Sequence, residues 1–390
     1  MVIQPKCPVF GKCGGCAYQD TEYSLQLEIK KKEAAEIFRG LGLKMPPGLK
    51  IFFKQPYYYR NRMDFVFSEG GPGFREKGKF NSIVNFEKCH ISNAGINYAL
   101  SKVIEWYNER KEKISVFDVE KNKGALRYSV IRSSFFSKQT SVTFILNKDS
   151  EEIEKHRVLI QEFASANKNL NVLAGCVKHN TDVSATNEYE VVNGDDYIYE
   201  NLGENRFYYH TQGFFQNNSP VMMDIVFYIS GLIRGRYDNL VDLYGGVGTF
   251  GIFFAGAAGE VFIIDNDKNS FGCAKRNIEE NNITNAAAYN VDAKALEEFG
   301  EDFVGKKNIF ILDPPRAGLH KKTVKFIKKI KPEKIIYVSC NPRQLAQDLK
   351  KLIPVYETGE YAMFDMFPQT RHVESVMELK LKKGDKDGAD

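Results

Sequence analysis

The feature that most limits the fold is the alternation of predicted helices and strands that begins after residue 218. SPVMMDIVFYISGLIRG predicts a helix, NLVDLYG a buried strand, and GVGTFGIFFAGA a glycine-rich turn that enters a helix. The strands that follow are the apolar runs EVFIIDND, AAAYNVD, KNIFILDPP and EKIIYVSC. Uninterrupted apolar strands between helices are typical of a mostly parallel sheet covered on both faces. We therefore expect a doubly wound α/β domain over residues 206–383.

Residues 1–205 show a different pattern, in which predicted strands are joined by short turns. The strand–turn–strand units include SVIRSSF–SKQ–TSVTFIL and YIYENL–GEN–RFYYHT. One amphipathic helix, EEIEKHRVLIQEFASA, interrupts the strands, and a helix over residues 21–41 precedes them and could pack on the other domain. We expect a β-rich α+β domain here, and a disordered tail over residues 384–390.

Polar side chains stand at the predicted carboxyl ends of the strands, where a doubly wound sheet binds its ligand. The first strand runs into a turn with several glycines, which lets the backbone approach a ligand closely but does not match the dinucleotide fingerprint G-x-G-x-x-G. Asp265 ends the second strand, where a carboxylate could bind two ribose hydroxyls, and Asp292 ends the third, where it could meet an adenine edge. This pattern indicates S-adenosylmethionine; the alternative is a tight turn with acidic strand ends.

The next two strand ends add a carboxylate and a thiol. Asp313 precedes two prolines, which restrain the chain to extended conformations and predict a stiff loop. Cys340 ends the neighbouring strand. A free cysteine is usually a small buried residue, which suits Cys176 and Cys273 but not Cys340, since its strand has just reached the surface. Glu374 lies where the last strand begins.

Three cysteines crowd the N-terminal segment, and a fourth follows a predicted hairpin. They are Cys7, Cys13, Cys16 and Cys89. The N-terminal residues contain no apolar secretory segment, so a disulfide framework is not expected and clustered cysteines more often bind metal. Four thiolates suit zinc or an iron–sulfur cluster, and the spacing alone favours zinc while leaving both open.

Charge is distributed unevenly along the chain. Residues 1–150 carry 25 Lys and Arg against 15 Asp and Glu, whereas residues 151–300 carry 11 against 22. Such an asymmetry suggests a basic surface that faces a polyanion. Residues 57–62, YYYRNR, mix aromatic and basic groups as stacking on unpaired bases requires; a half-buried strand with surface arginines would account for them too. No apolar run reaches membrane-spanning length, so we expect a cytoplasmic protein without a membrane partner.

The motifs together resemble the RNA 5-methyluridine methyltransferases over most of the chain. The motifs that carry the resemblance are CPVFGKCGGC with a distant cysteine, YRNRM, FFQNN, DLYGGVGTF, DPPR, SCNP and MFPQTRHVESV. The resemblance implies a Rossmann-like S-adenosylmethionine methyltransferase domain with Cys340 as nucleophile and Glu374 as base. It implies that the cofactor and target-base pocket is lined by Gln216, Tyr244, Asp265, Asp292 and Asp313. It also implies a [4Fe-4S] cluster on the four cysteines.

The implied reaction is methylation of carbon 5 of a uridine in RNA, through a covalent adduct between Cys340 and carbon 6 of the base. Some relatives begin with a small β-barrel RNA-binding domain, which this sequence is expected to lack, and that layout favours 23S ribosomal RNA as the substrate. The alternative target is the T-loop uridine of transfer RNA. Three further alternatives are a non-catalytic iron–sulfur RNA-binding protein, a small-molecule methyltransferase and an RNA cytosine-C5 methyltransferase. The last usually has cysteines after two neighbouring strands, and the DPPR strand end has none. We expect a monomer that binds RNA and not DNA.

Overall fold

The computed structural model describes residues 2–45 and 48–385. Its helices are α1 (Tyr23–Gly40), α2 (Ala94–Arg110), α3 (Ile153–Ala166), α4 (Ser219–Leu232), α5 (Thr249–Phe253), α6 (Lys268–Glu280), α7 (Gly300–Phe303), α8 (Lys321–Ile330) and α9 (Pro342–Leu352). Its strands are β1 (Lys50–Phe52), β2 (Arg62–Ser68), β3 (Gly71–Glu76), β4 (Lys79–Asn85), β5 (Leu126–Ser133), β6 (Thr140–Asn147), β7 (Asn171–Val177), β8 (Tyr189–Asn193), β9 (Tyr197–Leu202), β10 (Asn205–His210), β11 (Tyr237–Leu243), β12 (Ala258–Asp265), β13 (Ala286–Asn290), β14 (Asn308–Leu312), β15 (Lys334–Ser339), β16 (Tyr356–Phe364) and β17 (Glu374–Leu381).

The larger sheet has the strand order β1-β16-β17-β15-β14-β11-β12-β13. Strands β11 to β15 pair in parallel, and β17 is antiparallel to both β15 and β16. Neighbouring residues of β11 face opposite sides: Leu240 packs in the cluster that contains α4 and α6, and Val241 in the cluster that contains α8 and α9. Because both faces are covered, the parallel strands are mostly apolar, with Asp242 of β11 as a buried exception. The expected doubly wound α/β architecture is confirmed.

The smaller sheet has the order β4-β3-β2-β5-β6-β7-β8 and is antiparallel except between β6 and β7. Helices α2 and α3 contribute side chains to the apolar cluster on one of its faces. The hairpin of β9 and β10 forms a separate two-stranded sheet. Its buried residues Ile198, Leu202 and Phe207 pack in the same cluster as α4, so the hairpin shares its core with the larger sheet although it begins before residue 205.

The sequence prediction missed helix α2, because it allowed only one helix, α3, between the strands. Asn93 caps α2 by accepting a hydrogen bond of 2.9 Å from the backbone N–H of Ile96. The buried residues Ile96, Leu100 and Val103 recur at helical spacing along one face. The start of the helix carries Asn93 and Gly95, which on sequence alone favour a turn.

The chain passes from one sheet to the other between β1 and β2. β1 pairs with β16 in the larger sheet, whereas β2 lies in the smaller one, so residues 51–68 are not one continuous strand region. Tyr58 has a positive φ of 57°, which no β-strand allows. The aromatic and basic stretch of residues 57–62 therefore lies at the junction of the two sheets.

Helix α1 packs on the larger sheet through Ala34 and Phe38, which lie in the same cluster as α9. Beside them, the fully buried Lys30 Nζ lies 2.6 Å from Asp365 Oδ1. Residues Lys383–Asp385, at the start of the expected tail, form a short 3-10 turn, and residues 386–390 lie outside the described residues. Within residues 2–45 and 48–385, no helix is both long and apolar enough to cross a membrane.

Candidate active site

A cavity of about 840 Å³ opens at the carboxyl ends of the parallel strands. Tyr244, Asp265, Asp313 and Cys340 stand at or directly after the ends of β11, β12, β14 and β15, and all four line it. Glu374 begins β17, whose next residue pairs with the last residue of β15, and so it meets the same cavity from the neighbouring strand. The topology of the sheet thus brings together side chains that are up to 130 residues apart in sequence.

The glycine-rich turn after β11 is fixed by two carboxylates. Asp265 Oδ2 accepts a hydrogen bond of 2.9 Å from the Gly246 N–H, and Asp242 Oδ2 accepts one of 2.7 Å from the Gly251 N–H. A Cβ atom at Gly251 would lie 2.6 Å from a side-chain carbon of Ile263, so only glycine fits there. Burial raises the pKa of Asp242 to about 7 and also raises that of Asp265.

Gln216 and Asp313 are joined across the cavity wall. Gln216 Nε2 donates a hydrogen bond of 3.1 Å to Asp313 Oδ2, and Asn61 Nδ2 donates one of 2.8 Å to the Gln216 carbonyl. Asn61 comes from the junction between the sheets, so it connects that junction to the cavity. Burial, with repulsion from Asp242 and Asp265, raises the pKa of Asp313 to about 7.

The thiol of Cys340 lies near groups that raise its pKa and near one that lowers it. Burial is the main reason that its pKa is raised to about 11, and the carboxylates of Glu374 and Asp313 add to the increase. The Arg316 guanidinium acts in the other direction and lowers the pKa. Arg343, three residues after Cys340, is exposed and is not among the largest electrostatic influences on the thiol.

Glu374 is only 4% exposed, and its Oε1 has no hydrogen-bond partner among the described residues. Burial raises its pKa well above the usual range for a carboxyl, repulsion from Asp313 adds to this, and Arg316 opposes it. A carboxylate whose pKa has been raised is a stronger base once it is ionised. The unpartnered oxygen is therefore free to accept a proton inside the cavity.

Asp292 is the one cofactor candidate that the structure does not place on this cavity. Its Oδ1 accepts a hydrogen bond of 2.9 Å from the Lys294 N–H, and its Oδ2 lies 3.5 Å from Lys294 Nζ. These contacts lower the pKa of Asp292, with the backbone hydrogen bond first. The carboxylate is therefore engaged with its own loop, two residues past the end of β13.

Apart from Gln216, sequence reasoning did not assign to this cavity the lining residues from the loops before α4 and β17 and from the junction between the sheets. Arg60, Phe214, Asn217, Phe367 and His372 also line it. Phe214 is 60% exposed, unusual for a phenylalanine, and His372 lies two residues before Glu374. These residues belong to the motifs YRNRM, FFQNN and MFPQTRHVESV, so the sequence pointed to their segments. The motifs alone do not say which of their side chains face the cavity.

The four cysteines predicted to bind metal line one small cavity at the edge of the smaller sheet. They are Cys7, Cys13, Cys16 and Cys89. Burial raises the pKa of Cys13 to about 11 and that of Cys16 to about 12, and the neighbouring thiols add to both increases. As they stand, no three or more His, Cys, Asp or Glu side chains in the described part of the chain are arranged to hold a metal ion.

The fold and the strand-end cavity define an S-adenosylmethionine-dependent methyltransferase. A profile of the family described as tRNA (Uracil-5-)-methyltransferase matches residues 22–382, and the chain belongs to this family. It is thus an RNA uracil-C5 methyltransferase that uses S-adenosylmethionine as its methyl donor.

Named relatives support this membership over nearly the whole chain. The tRNA (uracil(54)-C(5))-methyltransferase of Pyrococcus abyssi is 35% identical over 378 residues, which cover 97% of this chain and 86% of the relative. An uncharacterized RNA methyltransferase of Caldanaerobacter subterraneus is 33% identical, covering 96% and 84%. The crystal structure of the Pyrococcus abyssi enzyme in complex with S-adenosyl-L-homocysteine superimposes with a TM-score of 0.78 at 32% identity, covering 94% of this chain and 86% of that one. The expected preference for 23S ribosomal RNA finds no support in these relatives.

Proposed function

We propose that this enzyme methylates carbon 5 of the T-loop uridine of transfer RNA, at position 54. Three relatives that are 33% to 35% identical bear the name tRNA (uracil(54)-C(5))-methyltransferase, and this similarity favours transfer RNA over the ribosomal target expected from the layout of the sequence. The observation that carries the chemistry is the meeting of Cys340, Glu374 and Asp313 in one cavity at the strand ends.

Cys340 is proposed as the nucleophile. Carbon 5 of uracil reacts too weakly to take a methyl group directly, whereas addition of a thiolate to carbon 6 turns the ring into an enolate whose carbon 5 can attack. When bound, S-adenosylmethionine supplies the methyl group as an electrophilic sulfonium. The high pKa of Cys340 keeps it a thiol in the free protein. The guanidinium of Arg316 and the positive sulfonium of the bound cofactor would promote its ionisation.

Glu374 is proposed as the base that removes the carbon-5 proton after methyl transfer. Its unpartnered Oε1 and raised pKa suit proton acceptance within the cavity. Removal of the proton lets carbon 6 release the Cys340 thiolate and restores the ring. Gln216 and Asp313, joined by their hydrogen bond, would bind the polar edge of the target base. Tyr244 and Asp265, which line the cavity, are proposed to bind the cofactor, with Asp265 at its ribose. Asp292, also proposed from the sequence, would have to leave its contacts with Lys294 to join them.

Cys7, Cys13, Cys16 and Cys89 are proposed to bind a [4Fe-4S] cluster. The donor set fits, because four thiols line one cavity that is otherwise mostly apolar, as a buried cluster requires. Small movements of the cysteine segment would have to draw the thiols together. The cluster would hold residues 1–20 onto the β-rich part of the chain, residues 1–205, which we propose as the RNA-binding platform of a monomeric enzyme.

The test of the target is to incubate the purified enzyme and S-adenosylmethionine with tRNA transcripts and with fragments of 23S ribosomal RNA, and to map 5-methyluridine by mass spectrometry. We expect one methyl group at position 54 of the tRNA and none in a matched transcript with cytidine at that position. Methylation of the ribosomal fragment alone would overturn the proposed target while leaving the reaction class intact.

A further inference from the structure

A second cavity, of about 440 Å³, adjoins the active-site cavity on the side of the smaller sheet. The two share three lining residues, Arg60, Phe214 and Asn217. The second cavity is bounded by β2, by the end of β5 and by the loop after β10. A chain segment that places a base in the first cavity would therefore pass close to the second.

Arg132, near the end of β5, is a buried cation in the lining of this second cavity. It is 2% exposed, and its guanidinium carbon lies 5.2 Å from the centre of the Tyr209 ring. Its Nη1 donates one hydrogen bond of 3.3 Å to the His210 carbonyl, and its Nε has no partner. No carboxylate in the described part of the chain lies within 4.0 Å of it. Arg132 therefore has unused hydrogen-bond donors in a buried position.

The one carboxylate that lines the cavity is already paired. Asp64 accepts hydrogen bonds of 2.9 Å and 3.1 Å from the Nε and Nη2 atoms of Arg62. Arg60 Nε donates a hydrogen bond of 3.0 Å to the Arg62 carbonyl. The lining thus holds three arginines and one aspartate. Asp64 also attracts the Arg132 charge, but it does so from beyond 4.0 Å and while paired with Arg62. The Arg132 guanidinium therefore has no direct counter-ion among the described residues, and an anion that enters the cavity would supply one.

We propose that this cavity binds a phosphodiester group of the substrate RNA, next to the flipped target uridine, with Arg132 as its buried anchor. The proposal rests on the proposed function, because the RNA must present its target base to the adjoining cavity. A planar guanidinium offers paired donors that match phosphate oxygens, and burial makes such charge-assisted hydrogen bonds stronger than those of a surface lysine. Binding the phosphate beside an extruded base would offset part of the cost of unstacking that base.

The experiment combines one change in the protein with one in the RNA. Arg132→Met and wild type are titrated with a T-arm RNA, intact or carrying a single neutral methylphosphonate at each linkage around the target uridine. We expect Arg132→Met to bind intact RNA ~10-fold more weakly and its log–log salt slope to flatten by about 0.7. One methylphosphonate should weaken binding to wild type by a similar factor and have no effect on the variant.

Arg127→Met is the matched control, since Arg127 is an equally buried arginine on the same strand. Its guanidinium donates to the carbonyls of Lys178, His179 and Thr181 and lines a different cavity. This variant should lose stability but keep its RNA affinity and its methylphosphonate pattern. If Arg132→Met does not fold, Arg132→Gln, whose amide can still donate to the His210 carbonyl, takes its place with the same expected results.

Equal methylphosphonate effects in wild type and the Arg132 variant, or an unchanged affinity and salt slope, would overturn the phosphate site. The binding measurements do not require turnover. A methylphosphonate could weaken binding to wild type and not to the Arg132 variant while no 5-methyluridine forms at position 54. That outcome would contradict the proposed target and leave the phosphate site standing.

Discussion

The backbone N–H of Ala17 donates a hydrogen bond of 2.8 Å to the carbonyl of Gln369, and this bond ties the cysteine segment to the loop before Glu374. Gln369 is buried and has a positive φ of 67°, and its side-chain oxygen accepts a hydrogen bond of 3.0 Å from Gln26 Nε2. Tyr59 donates to the carbonyl of the neighbouring Pro368 at 2.9 Å. The N-terminal segment therefore supports the loop that presents two cavity residues, Phe367 and His372.

Replacing a cysteine of the proposed cluster should affect both stability and catalysis. In wild type purified without oxygen we expect roughly four irons and four sulfides per chain. Cys89→Ser should lose the iron and sulfide and unfold at a lower temperature. It should also methylate RNA more slowly, because the N-terminal cysteine segment no longer holds the loop at Gln369. Calorimetry and metal analysis provide readouts independent of activity.

Cys176→Ala is the control for that variant, because this buried cysteine lies on β7, away from the four candidates. It should keep its iron and its activity. A Cys89→Ser protein with full iron content, or a wild type that holds one zinc and no iron, would contradict the cluster assignment.

The two side chains proposed as catalytic should give opposite results in an adduct assay. Cys340→Ser should abolish both methylation and the covalent RNA complex, since no thiolate attacks carbon 6. Glu374→Gln should form the complex but release it slowly, because the carbon-5 proton stays in place and elimination stalls. A denaturing gel with labelled RNA separates the outcomes. Methylation by Cys340→Ser at the wild-type rate would rule out this nucleophile.

The reactivity of Cys340 should depend on pH and on Arg316. With a pKa of about 11, the thiol of the free protein is protonated at neutral pH. Its alkylation by iodoacetamide, followed by peptide mass spectrometry, should therefore rise about tenfold per pH unit up to pH ~10. Arg316→Met removes the group that lowers the pKa and should slow alkylation at every pH below the plateau. Arg343→Met, the control, should follow the wild-type profile, and equal slowing in both variants would contradict the assigned role of Arg316.

The sequence was sufficient for the parallel strands of the larger sheet, because each is a mostly apolar run that ends in, or is directly followed by, a polar residue. Asp265, Asp313 and Cys340 could be placed at one edge for the same reason: parallel strands that alternate with helices end on the same side. Asp292 was placed by the same rule, but its carboxylate is bound to Lys294, a local contact that periodicity cannot reveal.

The β-rich half was less predictable, because its order depends on contacts distant in sequence. β2 pairs with β5, which lies about 60 residues later, and β1 crosses into the other sheet. The role of Asn61 in fixing Gln216 depends on that crossing. A buried arginine such as Arg132 has no sequence signature either, since on β5 it could equally have faced solvent.

The buried pair of Lys30 and Asp365 should contribute far more to stability than an exposed pair on the same helix. Lys30 Nζ contacts Asp365 Oδ1 at 2.6 Å and the Phe367 carbonyl at 3.2 Å, and Tyr23 donates to Asp365 Oδ2 at 2.7 Å. Lys30→Met leaves a buried carboxylate without its cation, and we expect the free energy of unfolding to fall by about 3–5 kcal/mol.

Lys31→Met is the matched control, because Lys31 pairs with Glu28 on the exposed side of α1. Its free energy of unfolding should change by less than about 1 kcal/mol. Urea unfolding curves of the two variants and wild type give the comparison. Lys30→Met should also weaken methylation, since Asp365 and Phe367 belong to the loop that leads to Glu374. Equal losses of stability in the two variants would show that water reaches Lys30 and that the pair is not buried in solution.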